Sequence, residues 1–210
     1  MNQFFNNILL RYFLLIYFCL LPISTSVSSR SILNIAEDDF IIGNKDAPIT
    51  IIEYASMSCS HCANFHIKTL PQLIDEYVDT GKIKIVFRDF PFNYPALLGS
   101  MVLRCIPGEA RYEYTQALYK LQPRWVNKEN AITTQELYKI MQSGGMTKKE
   151  FNSCISNVDL ENDILQSLMD AQNEFNIKST PSFLINGLLV EGNKPFKDFR
   201  EIIDKLLLKE

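Results

Sequence analysis

The spacing of two cysteines limits the fold of this chain more than any other feature. Cys59 and Cys62 are separated by two residues and come directly after the β-branched run ITIIEY at residues 49–54. Such a run is typical of a buried strand, and apolar side chains recur at helical spacing from residue 60 to residue 78. The sequence therefore predicts that Cys59 lies where a strand ends and a helix begins.

Strand and helix patterns alternate along the rest of the chain. Residues 82–89 predict a second strand, and the periodicity is helical from about residue 93 to 177. Residues 182–185 and 188–190 then predict two short strands around an Asn-Gly hairpin turn, and residues 199–207 predict a closing amphipathic helix. The order is βαβ, a helical block, then ββα.

The helical block is too long to be a structureless loop inside a compact domain. Two Thr-x-x-Glu capping boxes, at residues 133–136 and 147–150, predict the starts of helices within it. We therefore predict one α/β domain over residues 43–210, with a single core and an all-helical subdomain inserted at about 93–177.

The amino-terminal segment has the layout of a secretory signal peptide. Residues 12–21 (YFLLIYFCLL) are an apolar run that follows an arginine and precedes a proline and small residues. An uncleaved membrane anchor is the alternative, but the run is shorter than the ~20 apolar residues that a spanning helix needs. We expect cleavage between Ser26 and Ser29, a signal peptide at 1–28, a polar leader at 29–42, and export to the periplasm.

The balance of charge argues against one class of partner. The chain has 24 acidic and 21 basic residues, a formal net charge of -3, and no run of like charges. A nucleic-acid-binding domain needs a basic patch, so we expect no nucleic-acid partner.

Removal of the signal peptide would leave four of the five cysteines. Disulfides persist in an oxidising compartment, and an even number of cysteines permits two pairs. Cys105 and Cys154 both fall in the helical block, and we predict that they form a structural disulfide. The alternative is that they are two small buried thiols packed as apolar side chains.

Four kinds of site use cysteines at the spacing of Cys59 and Cys62. Covalent haem attachment needs a histidine directly after the second cysteine, and Ala63 occupies that position. A closed zinc site needs four ligands, whereas Cys59, Cys62 and His66 provide three. A structural disulfide that closes so short a loop gains little stability. We therefore expect neither a metal nor another cofactor, and we favour a redox-active pair.

The predicted position at a helix N-terminus suits redox chemistry. Unpaired backbone N–H groups and the positive end of the helix dipole favour a thiolate on Cys59, and His61 can add a positive charge or a hydrogen bond. A lower pKa makes Cys59 the attacking sulfur and a good leaving group, and it makes the disulfide more oxidising. Cys62, one turn further along the helix and more buried, would resolve the mixed disulfide.

Three segments give the chain a resemblance to a known family. They are GNKDAPITIIEYASMSCSHCANFH at residues 43–66, RDFPF at residues 88–92 and STPSFLINGLLVEG at residues 179–192. With the order of the elements, they resemble the thioredoxin fold with a helical insertion, and within it the DsbA family of exported bacterial thiol:disulfide oxidoreductases. The resemblance extends from residue 43 to the last predicted helix.

The resemblance implies roles for three residues besides the cysteines. Pro181 matches a proline that the family holds in the cis form beside the active site, which leaves backbone groups of Thr180 free to pair with a substrate peptide. Glu53 matches a buried acid that exchanges protons with the inner cysteine through water. The residues alone leave open a trans turn at Pro181 and a solvent-facing Glu53.

Two positions depart from the best-known members of the family. Ser60 stands where they have proline, so the effect of His61 should persist in a less rigid loop. Thr180 replaces the valine common in the oxidases and resembles the threonine of the related isomerases, and its hydroxyl could hydrogen-bond the cysteine sulfurs. Those isomerases have an N-terminal dimerisation domain, for which the residues before Gly43 provide too little chain. We therefore expect a monomeric oxidase.

The family implies a function and a partner. The protein would introduce disulfides into unfolded exported proteins and would be reoxidised by a membrane quinone-linked partner. An isomerase or reductase with the same chemistry is one alternative. A non-catalytic exported binding protein, whose CxxC is structural or holds metal, is another.

Three further polar residues are assigned no chemical role. His66 follows Cys62 by four residues on the same helical face, and we predict a partly exposed side chain rather than a ligand or base. Arg88 and Asp89 are adjacent in the second predicted strand. We predict that they form a local surface or interface pair.

Overall fold

A computed structural model describes residues 35–36 and 39–209, and a five-stranded mixed sheet runs through them. The strands are β1 (Phe40–Ile42), β2 (Ile49–Ala55), β3 (Ile83–Asp89), β4 (Ser182–Ile185) and β5 (Leu188–Glu191). Their order across the sheet is β1-β3-β2-β4-β5. β2 and β3 are parallel, and the other neighbouring pairs are antiparallel. The signal peptide predicted at residues 1–28 lies outside the described residues.

Helices connect and cover the strands. Helix α1 runs from residue 60 to 78, directly after β2, and includes two π-helical segments, Phe65–Thr69 and Ile74–Val78. Six helices between β3 and β4 form the insertion: α2 (Tyr94–Arg104), α3 (Gly108–Lys120), α4 (Gln122–Trp125), α5 (Asn130–Ser143), α6 (Lys148–Ile155) and α7 (Val158–Phe175). The last helix is α8 (Phe196–Leu207).

Alternation along β2 divides the core between the two faces of the sheet, because successive side chains of a strand point to opposite faces. Ile49 and Ile51 pack with side chains of α1 and α8 in one cluster. Ile52 and Tyr54 pack in a second cluster, which includes Ala171 of α7. Glu53 has the same parity as Ile51, so it points from the sheet toward α1.

A third core cluster joins the active-site helix to the insertion. Cys62 and Ala63 of α1 pack there with Leu118 of α3, Trp125 of α4 and Phe151 of α6, all buried. Since the helices of the insertion bury one end of α1, they shape the surroundings of the CxxC motif directly.

The predicted α/β fold with the thioredoxin-like order and a helical insertion is confirmed. The hairpin is also confirmed: Asn186 and Gly187 have positive φ values of 44° and 87°, as the primed turns of tight hairpins require. The predicted polar leader at 29–42 is wrong for residues 40–42, because they form β1 against β3. A strand of three residues is too short to give a periodic signal.

One of the two predicted capping boxes is present. Thr147 caps α6, and its side chain and that of Glu150 bond each other's backbone N–H groups. The box at Thr133 is wrong, because α5 already begins at Asn130. Thr133 is buried within α5, and its hydroxyl hydrogen-bonds the backbone N–H and carbonyl of Asn127. The hydroxyl therefore has partners although Thr133 does not cap the helix.

The predicted pairing of Arg88 with Asp89 is wrong. Successive strand residues point to opposite faces, and the two side chains find partners on different elements. Buried Arg88 makes a two-pronged contact with Asp39, just before β1, with nitrogen–oxygen distances of 2.7 and 3.1 Å. Asp89 accepts a hydrogen bond from Nε of Arg104 in α2 at 2.8 Å.

A disulfide joins Cys105, at the C-terminal end of α2, to Cys154 in α6, across 49 residues of sequence. It links two helices of the insertion at a position remote in sequence from the CxxC motif. The alternative of two free buried thiols does not describe this structure. Over residues 35–36 and 39–209, the helices are too short or too polar to cross a membrane.

Candidate active site

Cys59 lies at the junction that the sequence predicts, at the N-cap of α1. The loop that leads to it is held by hydrogen bonds from the chain and from the insertion. The Cys59 backbone N–H donates to the Ser56 carbonyl at 3.0 Å. The side-chain amide of Gln122 in α4 donates to the carbonyls of Met57 and Cys59 at 2.9 and 3.1 Å. The insertion therefore fixes the loop that presents the outer sulfur.

The outer cysteine is partly exposed and its thiol is acidic. The pKa of Cys59 is lowered to about 5, and the largest cause is a hydrogen bond from the Cys62 thiol, which stabilises the Cys59 thiolate. Burial opposes this shift, while a hydrogen bond from Thr180 and the backbone N–H groups of Cys62 and His61 add to it. At pH 7 the reduced Cys59 is therefore almost entirely thiolate.

The inner cysteine has the opposite character. Cys62 is fully buried, and burial raises its pKa well above that of an ordinary thiol. The hydrogen bond that it gives to Cys59 and the negative charges of Glu53 and Cys59 raise the pKa further. The pair therefore holds one proton between two sulfurs of different acidity, and the proton belongs to Cys62.

The Thr180–Pro181 segment lies against the outer sulfur. The peptide bond before Pro181 is cis, and Sγ of Cys59 lies 3.4 Å from the Thr180 carbonyl oxygen, to which it can donate only when it is protonated. Gly192 donates its N–H to the Pro181 carbonyl at 2.8 Å, which ties the segment to the end of β5. The Thr180 hydroxyl is buried beside Cys59, and its hydrogen bond to the sulfur lowers the pKa of Cys59. Its place beside the sulfur is the one that the resemblance implies.

Glu53 is fully buried in the middle of β2, so a solvent-facing position is ruled out. One carboxylate oxygen, Oε2, lies 3.0 Å from Nε2 of His66. The other, Oε1, is buried and has no hydrogen-bond partner among the described residues. Its charge raises the pKa of Cys62. The Glu53 carboxylate is therefore hydrogen-bonded through Oε2, its Oε1 has no partner among the described residues, and its charge acts on the inner cysteine.

The prediction of a partly exposed His66 is wrong, because only 1% of the residue is exposed. Nδ1 of its ring lies 3.0 Å from the side-chain amide nitrogen of Gln116 in α3. The ring also packs against Tyr119, with 4.3 Å between the ring centroids. The helical insertion buries this side of α1, and the periodicity of α1 alone contains no sign of that cover. His66, Gln116 and Gln122 are thus site residues that the sequence analysis missed.

Ser60 and His61, the residues inside the motif, are both exposed. The contribution of His61 to the pKa of Cys59 comes from its backbone N–H. The predicted effect of the His61 side chain has no counterpart, because the described residues provide no hydrogen bond to that side chain. The backbone of the first helical turn therefore has the effect that was expected of the imidazole ring.

A zinc site would need Cys59, Cys62 and His66 together. Both ring nitrogens of His66 are engaged in hydrogen bonds, one with Glu53 and one with Gln116. Within residues 35–36 and 39–209, no group of three or more His, Cys, Asp or Glu side chains is arranged to hold a metal ion. The arrangement instead suits exchange of a disulfide between two sulfurs of unequal acidity.

Comparison with known proteins agrees with this geometry. The family model described as thioredoxin matches residues 36–205. The chain belongs to this thioredoxin family. Among solved structures, DsbA1 of Wolbachia pipientis is 30% identical and has a TM-score of 0.79, with 85% of this chain and 95% of that chain covered. The DsbA-like membership that the sequence predicts is confirmed.

A second solved structure and a set of curated relatives extend the comparison. A structure named as a protein-disulfide isomerase from Novosphingobium aromaticivorans is 25% identical with a TM-score of 0.74, and 82% of this chain and 99% of that chain are covered. A relative in Rickettsia bellii, named as a protein-disulfide oxidoreductase, is 33% identical over 181 residues, which are 82% of this chain and 66% of the relative. The chain spans 61% to 68% of the length of the Rickettsia relatives that it matches.

Proposed function

We propose that the protein is a thiol:disulfide oxidoreductase that donates its Cys59–Cys62 disulfide to pairs of thiols in unfolded exported proteins. The observation that supports this most directly is the low pKa of Cys59, about 5, beside a fully buried Cys62. A stable Cys59 thiolate stabilises the reduced form, and a stable reduced form makes the disulfide a stronger oxidant.

The reaction balances over two exchanges. A substrate thiolate attacks Sγ of Cys59, a substrate–Cys59 disulfide forms, and Cys62 leaves as a thiolate that takes up a proton. A second substrate thiolate then attacks the substrate sulfur of that bond and releases Cys59 as its stable thiolate. The substrate loses two electrons to form a disulfide, and the protein gains them as one thiol and one thiolate.

The environment of Thr180 supports ready release of Cys59 as a thiolate, which donation requires. An isomerase must hold its pair reduced and attack substrate disulfides, whereas a donor must give up its own disulfide readily. The hydrogen bond from Thr180 lowers the pKa of Cys59 and so stabilises the leaving thiolate. An isomerase or reductase, as the name of the Novosphingobium relative would suggest, remains the alternative within the same chemistry.

We further propose that the protein is exported to the periplasm and acts there as a monomer. The Cys105–Cys154 disulfide supports an oxidising compartment, because such bonds persist there and are rare in the cytosol. After each donation an oxidant must regenerate the pair, and we propose a membrane quinone-linked partner for this step. Amino-terminal sequencing of the exported protein should give a start between Ser26 and Ser29, and an intact first residue would contradict export by cleavage.

The test of the donor role uses a reduced unfolded protein with two cysteines as the substrate. The oxidised protein should form the substrate disulfide at a rate that Cys59→Ser abolishes. In the Cys62→Ser variant, Cys59 is first converted to a mixed disulfide with a small molecule. Addition of the reduced substrate should then accumulate a disulfide between Cys59 and the substrate. The double variant Cys105→Ala/Cys154→Ala is the matched control, because it removes two sulfurs and leaves the motif intact, and it should retain donation.

Two outcomes would contradict the donor role. A wild-type protein that reshuffles wrong disulfides but does not oxidise the dithiol would be an isomerase. A wild-type Cys59–Cys62 disulfide that is inert to small thiols, or bound zinc in the purified protein, would indicate a binding protein with a structural or metal-holding motif.

A further inference from the structure

The two oxygens of Glu53 have different surroundings. Oε2 has a fixed neighbour, Nε2 of His66 at 3.0 Å, and both side chains are buried. Oε1 is buried and has no hydrogen-bond partner in the described part of the chain. A buried polar atom without a partner is costly in free energy, and a bound water or a role in the chemistry of the site accounts for such atoms. The open oxygen is therefore the atom of interest.

Gln116 determines which nitrogen of His66 has the proton. Its side-chain amide nitrogen, 3.0 Å from Nδ1, can only donate, so Nδ1 must be an unprotonated acceptor. A neutral ring then has its proton on Nε2, where it donates to Oε2 of Glu53. Gln116 thus acts on Glu53 through the ring, as outer hydrogen-bond partners do for histidines that bind metals.

Aromatic packing keeps the ring in place. His66 lies between Tyr119, with ring centroids 4.3 Å apart, and Phe87, with centroids 5.6 Å apart. Tyr119 is almost fully buried, and only 1% of His66 is exposed, so bulk solvent has little access to the ring. Hydrogen bonds in such surroundings are stronger than in water, and the ring cannot rotate without disturbing its neighbours.

We propose that His66 and Gln116 are positioning residues, which fix Oε2 of Glu53 so that Oε1 exchanges the proton of Cys62. The proposal rests on the proposed thiol:disulfide exchange, because it concerns the proton that accompanies that exchange. When the protein donates its disulfide, Oε1 passes a proton from solvent water to Cys62 as the sulfur–sulfur bond breaks, so reduction takes up one proton. When the pair is reoxidised, Oε1 takes that proton as Cys62 attacks Cys59 and returns it to solvent.

The same geometry excludes a relay through the ring. A histidine relays a proton by accepting one on one nitrogen while it releases one from the other. Nδ1 of His66 faces a Gln116 amide, which does not ionise and cannot supply a proton. The ring therefore holds the carboxylate and does not conduct the proton.

The first experiment measures the tautomer of His66 directly. Nitrogen-15 NMR of the full chain in its reduced state should show His66 with a bare Nδ1 and a protonated Nε2. Gln116→Glu replaces the donor by an acceptor, and the ring should then have protons on both nitrogens. A wild-type His66 protonated on Nδ1, or on both nitrogens, would overturn the proposal whether or not the protein exchanges disulfides.

The second experiment measures the rate at which glutathione reduces the Cys59–Cys62 disulfide. His66→Leu removes the hydrogen bond to a charged oxygen, and the rate should fall about tenfold. His66→Gln is the matched variant, because its amide nitrogen can replace Nε2, and its rate should be within about threefold of wild type. Equal rates for the two variants would overturn the proposal, provided that their unfolding midpoints differ little.

A double variant separates positioning from folding. Glu53→Gln should lower the rate by about a hundredfold, as the loss of a general acid or base does. If His66 acts only through Glu53, adding His66→Leu to Glu53→Gln should change the rate by less than about twofold. A further tenfold loss in the double variant would show that His66 acts on the loop and not on the carboxylate. A wild-type protein that exchanges no disulfide with glutathione would refute the proposed function. The NMR experiment would still test the tautomer of His66, because that measurement does not depend on exchange.

Discussion

The acidity of Cys59 predicts how the reduction potential of the Cys59–Cys62 pair changes with pH. The pKa of Cys59 is about 5, chiefly because Cys62 donates a hydrogen bond to it, and burial keeps Cys62 protonated far into the alkaline range. Above pH 5, reduction by two electrons leaves one thiolate and one thiol, so it takes up one proton. Below pH 5 it takes up two.

The magnitude follows from the two-electron couple, in which a tenfold change in equilibrium constant is worth about 30 mV. The potential should fall by about 30 mV for each pH unit above 5 and by about 60 mV for each unit below it. The pKa of Cys59 is lower in the folded protein than that of an ordinary thiol. The thiolate therefore stabilises the reduced protein in full above the ordinary thiol pKa, and this stabilisation is lost as the pH falls through about 5. At pH 7 the thiolate stabilises the reduced protein by up to about 3 kcal/mol. Because Cys59 is only half-buried, solvent screens its charge and reduces this stabilisation to roughly half.

The assay is a series of equilibrations with glutathione from acidic to neutral pH, in which alkylation and mass spectrometry measure the fraction of reduced pair. The alkylation rate of Cys59 gives an independent midpoint. Cys62→Ser retains a donor to Cys59, whereas Cys62→Ala removes it, so the midpoint should rise more in the alanine variant. A single slope of about 60 mV per pH unit up to pH 7 would refute the reasoning, because it would mean that both thiols stay protonated there.

Three further predictions concern stability, each measured by denaturant unfolding of the reduced or oxidised protein. Replacing Cys105 and Cys154 by alanine should lower the free energy of unfolding by about 2–4 kcal/mol, since the bond closes a loop across 49 residues, and an unchanged midpoint would contradict it. Asp39→Ala should cost about 3 kcal/mol, because it removes the carboxylate from buried Arg88. Asp89→Ala should cost less, about 1 kcal/mol, because the side chains of the Arg104–Asp89 pair are 24% and 21% exposed. Gln122→Ala should lower the free energy of unfolding by about 1–3 kcal/mol in both redox states, because two carbonyls of the active-site loop lose their donor. A destabilisation seen only in the oxidised protein would contradict this prediction.

The sequence was informative wherever a short stretch of chain determines its own structure. Periodicity placed the central strands and the closing helix, and Asn-Gly marked the hairpin, because these depend on local backbone geometry and on one buried face. The spacing of Cys59 and Cys62 after a strand indicated a helix N-terminus with an acidic outer thiol, since the N–H groups of a first turn belong to the helix itself. The three residues of β1 had no such signal and were missed.

Tertiary structure alone decided what surrounds the site. The prediction for Glu53 was open, because its burial depends on how α1 packs against β2. The prediction for His66 was wrong, because the helix that covers it belongs to the insertion, with Gln116 lying 50 residues further along the chain. Gln116 and Gln122 reach the site from the insertion, and an isolated glutamine in a helix gives no sign of its partner. The sequence thus determined which atoms react, through local chain geometry. The packing of the insertion determined where the protons lie, because hydrogen-bond partners and burial depend on contacts between distant segments.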